Sequence, residues 1–85
     1  MQVDNTLSGT PTGRLRDSVV VAVRVEMARQ RMSQTKLAEL TGCTQAYISR
    51  RMTGETPFDV VDLEKVARAL NVPVAAFFPA PALVA

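Results

Sequence analysis

Gln45, Ala46, Ser49 and Arg50 lie within two turns of one another in the segment Gln34–Gly54. A glutamine amide can pair with two atoms of an adenine edge, an arginine guanidinium can do the same with guanine, and an alanine methyl fits the thymine methyl. A helix in which Ile48 faces inward puts Ala46 and Arg50 roughly 160° away from it and Ser49 roughly 100° away. Gln45, at the open N-terminal end, reaches the same side. This set suits direct reading of bases in a DNA major groove. The plainer alternative is that Gln45 merely opens a helix and Arg50 is a solvated charge.

Other chemistry is poorly supplied. The chain has no histidine, and Cys43 is its single cysteine. Disulfides, His/Cys metal sites, Cys/His nucleophiles and Ser/His/Asp triads are thereby removed together. The expectation is a binding protein that is not an enzyme, with no metal, no cofactor and no small-molecule ligand implied. Cys43 reads as a small apolar group filling a turn.

The 85 residues carry a net charge of +2, unevenly placed. Up to Gly54, eight basic residues face four acidic ones, whereas the remainder holds Lys65 and Arg68 against Glu55, Asp59, Asp62 and Glu64. A positive field confined to the first two thirds suits a polyanion, whose neutralised phosphates release counterions. An unevenly charged solvated face is the alternative. No run approaches the ~20 apolar residues of a membrane span, and the start lacks the basic-then-apolar order of a secretory signal. A cytoplasmic protein without membrane contact is expected.

A composition that is 47% hydrophobic supports one small core, and the pattern predicts an all-α domain of five helices. Residues 1–13 lack an apolar period and read as a flexible leader, 14–78 as the folded domain, and 79–85 as an apolar tail. Leu15, Val19, Val23 and Met27, spaced by four, predict helix 1 as far as Met32, although the β-branched run Val19–Val23 also suits a strand. Ser33 and Thr44 are N-cap candidates for helices over Gln34–Leu40 and Gln45–Thr53, and Asp59 for a helix whose stripe is Val60, Leu63, Val66, Ala67 and Leu70. Pro73 opens a brief fifth helix through Phe78. Met27, Met32, Met52, Phe58, Phe77 and Phe78 read as core.

Between helices 2 and 3, three residues have a packing reason. Ala38 is small where a second helix crosses closely, Gly42 supplies the corner, and Ile48 plugs the angle between the helices. With these in place, the sequence resembles the phage repressor and Cro-like helix-turn-helix family, the XRE-type, lambda-repressor-like group. Its pattern SQ..LA...G.....IS....G is matched by Ser33, Gln34, Leu37, Ala38, Gly42, Ile48, Ser49 and Gly54. The likeness runs from about Val23 to Phe78. Two positions depart from it. Arg31 stands where a glycine often ends helix 1, so that turn is expected to be built differently. Arg51 replaces a large apolar residue, which predicts that Met52 takes the core role. The Arg51 guanidinium is then expected to reach solvent or phosphate, or to pair with Glu55 or Asp59.

The resemblance implies a sequence-specific regulator of transcription, a phage-type repressor or Cro protein, reading double-stranded DNA with helix 3. It also places Gln34 at the DNA backbone, where the helix N-terminus favours an anion. Thr44, Tyr47, Ser49 and Arg51 are further phosphate candidates, with Lys36, Arg14 and Arg16 adding general attraction. Such domains gain specificity as homodimers or DNA-induced dimers on half-sites ~34 Å apart, and Phe78, Leu83 and Val84 are candidate dimer contacts. The alternative is an antitoxin-like module of the same fold that binds a protein partner.

Overall fold

The computed structural model describes residues 11–78, with their side chains from Leu15 onward. Four α-helices follow one another: α1 (Pro11–Gln30), α2 (Gln34–Thr41), α3 (Gln45–Met52) and α4 (Val60–Leu70). No strand occurs among the described residues, so the run Val19–Val23 is helical. The helix α1 begins at Pro11, inside the stretch read as leader. The rest of that leader, the tail with Leu83 and Val84, and the Arg14 side chain lie outside the described residues.

The expected fifth helix is a correction. Val74–Phe77 forms one 3-10 turn, with no side-chain cap on Pro73. Phe78 ahead of Pro79 is extended, at φ −109° and ψ 148°. A proline disfavours helical geometry in the residue before it, so a four-residue turn is all this segment sustains. The turn still delivers Phe77, 1% exposed, into the core.

The core gathers Val19, Val23 and Met27 of α1, Leu37 and Ala38 of α2, Ile48 and Met52 of α3, Leu63, Val66, Ala67 and Leu70 of α4, and Phe77. Met32 and Phe58 pack partly buried against it. Leu15, Val60 and Phe78, expected inside, are exposed. Leu15 is the first described side chain of α1, Val60 is the first residue of α4, and Phe78 follows the 3-10 turn. With Val19, Phe58 and Leu63, they line an open groove of about 350 Å³.

One device closes three helices. Arg31 and Met32 donate backbone bonds to the carbonyls of Ala28 and Met27, Gly42 and Cys43 to those of Glu39 and Ala38, and Asn71 and Val72 to those of Arg68 and Ala67. Each pair is a Schellman closure, in which the first residue turns left-handed and the second packs back on the helix. Accordingly Arg31, Gly42 and Asn71 have φ of 55°, 76° and 59°, while Met32, Cys43 and Val72 sit against the core. Contrary to expectation, the turn after α1 has the geometry a glycine would give it, carried by an arginine at a cost of about 1 kcal/mol. Cys43 has the apolar turn role expected of it.

Candidate functional site

The site is a corner of two eight-residue helices joined by Gly42, Cys43 and Thr44. Both start on extended residues whose hydroxyls accept from the backbone three positions on: Ser33 from Lys36 at 3.0 Å and Thr44 from Tyr47 at 3.0 Å. Each cap satisfies one of the N–H groups that a helix start leaves unpaired. At the bend, Gly42 turns left-handed. Ala38 and Ile48 are buried, as the corner reading requires. Nothing lies within 4 Å of where a Cβ on Gly42 would sit. The glycine therefore serves the backbone angle and not a tight contact.

With Ile48 and Met52 inside, α3 turns its opposite side outward. Gln45, Ala46 and Arg50 are exposed and Ser49 is half-buried beside them. Neither the Gln45 nor the Arg50 side chain has a hydrogen-bond partner among the described residues. The structure thus brings the four base-reading candidates to one accessible face, the arrangement on which that reading depends. Gln34 is half-buried at the start of α2 and Thr44 is exposed. Lys36 lies 3.8 Å from Glu39 in a solvated pair, an attraction worth ~0–1 kcal/mol that a phosphate can displace.

Tyr47 and Arg51 depart from the expectation that they face phosphates. The Tyr47 hydroxyl donates to both carboxylate oxygens of Asp62, at 2.9 Å and 3.1 Å. Arg51 Nε donates to Asp62 Oδ2 at 3.3 Å, and its guanidinium lies 3.6 Å above the centre of the Tyr47 ring. The ion pair is nearly closed to water, with side chains 13% and 8% exposed. Neither Glu55 nor Asp59 is the partner of Arg51. Because ionised Tyr47 would lose its bond to Asp62 and set a second anion beside it, the phenol pKa is raised from 10.0, with Arg51 pulling the other way.

Sequence reasoning missed Asp62 and two arginines of α1. Asp62 is the buried charged residue of the described chain, and it forms a capping box with Asp59 at the start of α4. The D-x-x-D spacing signals that local role; nothing in the sequence signals the partners on α3. Arg24 Nη2 donates to the Met52 carbonyl at 2.7 Å, and Arg16 Nη2 to Gly54 at 2.8 Å. Both close carbonyls at or just beyond the end of α3, where the helix dipole also favours a cation. Arg16, counted among sources of general attraction, is thus bound to the protein itself. Among the described residues no helix is long and apolar enough to cross a membrane.

Comparisons with known proteins agree with this geometry. The family model described as helix-turn-helix matches residues 23–77. Among solved structures, the clp gene regulator ClgR from C. glutamicum is similar, with 27% identity and a TM-score of 0.69 over 74% of this chain and 82% of that one. No match occurs among curated proteins.

Proposed function

The chain belongs to the helix-turn-helix family, and on that premise we propose that it is a DNA-binding regulator of transcription whose α3 reads base edges in the major groove. The observation that carries this reading is the face of Gln45, Ala46, Ser49 and Arg50, accessible on the helix that the corner props outward. Likeness to a structure described as a gene regulator supports it. Gln45, Arg50 and Ser49 supply hydrogen bonds to bases and Ala46 an apolar contact. Gln34 and Thr44, at the starts of α2 and α3, and Lys36 meet phosphates and fix the register on the duplex. Tyr47 and Arg51 brace α3 from inside. The protein acts by occupying double-stranded DNA in the cytoplasm and is not an enzyme.

At finer grain, the resemblance carried by Ser33, Gln34, Leu37, Ala38, Gly42, Ile48, Ser49 and Gly54 implies the phage repressor or Cro type, and with it action as a dimer. Selection of bound duplexes from a random pool tests the reading. Gln45→Ala and Arg50→Ala are expected to weaken preference by about tenfold each at the bases they contact, since a good bidentate pair discriminates by ~1–3 kcal/mol, while circular dichroism stays that of the folded protein. The same selected sequences from both variants would remove the assignment of α3.

A further inference from the structure

Packing sets which side of α3 faces outward, but only coarsely how far the helix is turned. Ile48 and Met52 are buried, and burial of apolar surface has no preferred direction. Arg24 of α1 holds the Met52 carbonyl at the C-terminal end of α3, whereas the bonds to the side chains of α3 come from one flank. Tyr47 and Arg51, one helical turn apart, both end on the Asp62 carboxylate. The stacking of guanidinium on ring joins them into one slab. The carboxylate is itself tied to the start of α4: it accepts from the Asp59 N–H at 3.4 Å, while the Asp62 N–H donates to Asp59 Oδ1 at 2.7 Å. At 7% exposure, Asp62 cannot reach a duplex.

We infer that Asp62 is a specificity-determining positioning residue: through Tyr47 and Arg51 it fixes the rotation of α3 about its own axis, and so the direction in which Gln45, Ala46 and Arg50 leave the surface. This rests on the proposed reading of DNA by α3. Paired recognition of a base tolerates only ~0.5 Å and ~10–20° of misplacement, whereas attraction to phosphates does not depend on which bases are read. Loosening the anchor therefore degrades discrimination before it degrades general affinity.

The test uses the full chain, a duplex selected by the wild-type protein from a random pool, and a scrambled duplex of the same length. Asp62→Asn keeps the shape and removes the charge, and Tyr47→Phe removes only the hydroxyl. Affinities are measured where circular dichroism shows each variant folded. The expected result is a fall of about tenfold in the ratio of the two affinities for each variant, no further fall in the double variant, and undiminished binding to the scrambled duplex. A folded variant that keeps the wild-type ratio, or that loses both affinities equally, would overturn the inference. Should Asp62→Asn not fold, Tyr47→Phe decides alone. A wild-type protein that enriches no sequence from the pool would overturn the DNA reading first, and the inference with it.

Discussion

Tyr47 is the one tyrosine of a chain without tryptophan, so the ultraviolet absorbance of tyrosinate reports a single contact. Its raised pKa makes the sign of the pH dependence definite. Stability from the bond to Asp62 is fully present below the ordinary value of 10.0 and is lost as pH rises through the higher folded value. An alkaline titration is expected to give a midpoint above 10.0 in the native protein and a return toward 10.0 in urea or in Asp62→Asn. A native midpoint at the unfolded value would mean that the bond is not kept in solution. At Arg31 the strain runs the other way. Arg31→Gly relieves a left-handed arginine at φ 55° but adds freedom to the unfolded chain. The balance is a gain of about 0.5 kcal/mol, read as a higher midpoint in urea.

Helix by helix, what was legible in the sequence is what is decided within a few residues. Ser33, Thr44 and Asp59 each cap a backbone N–H three positions ahead, and Gly42 bends the chain where it stands, so caps and corner follow from local chemistry. Arg51 meets Asp62 across 11 positions, Arg24 meets Met52 across 28 and Arg16 meets Gly54 across 38. Those partners are chosen by the distances between packed helices, which no spacing in the sequence encodes. The same limit explains Leu15 and Val60, whose periodicity does not show that the space they face is an open groove. For α3 the long-range bond has a measurable role. Arg24→Met keeps much of the stem and removes the donor to Met52, and should cost about 1 kcal/mol, with faster amide exchange in the last turn of α3. At the opposite end, Gly42→Ala meets open space and should cost about 1 kcal/mol through backbone angle alone. A larger loss would indicate a contact at the corner.

Across the whole molecule, basic residues overstate the direct contacts available to a polyanion more than the field. Arg51 is neutralised by Asp62, while Arg16 and Arg24 keep their charge but commit donors to carbonyls, so fewer guanidinium donors are free for phosphates. Binding to the selected duplex should still weaken steeply with salt, the slope of log affinity against log salt being about −0.9 per phosphate neutralised. An affinity that hardly changes with salt would favour the antitoxin-like alternative, an apolar protein interface. The three-residue joint between α2 and α3 also bears on the order of assembly. Bringing these neighbours together closes almost no loop, whereas the Arg24–Met52 link closes one of 28 positions. Folding on a microsecond to millisecond scale is expected for so local a topology. The corner is expected to form early, so that an Ala38 replacement slows folding while Arg24→Met chiefly hastens unfolding, as stopped-flow folding and unfolding rates would read.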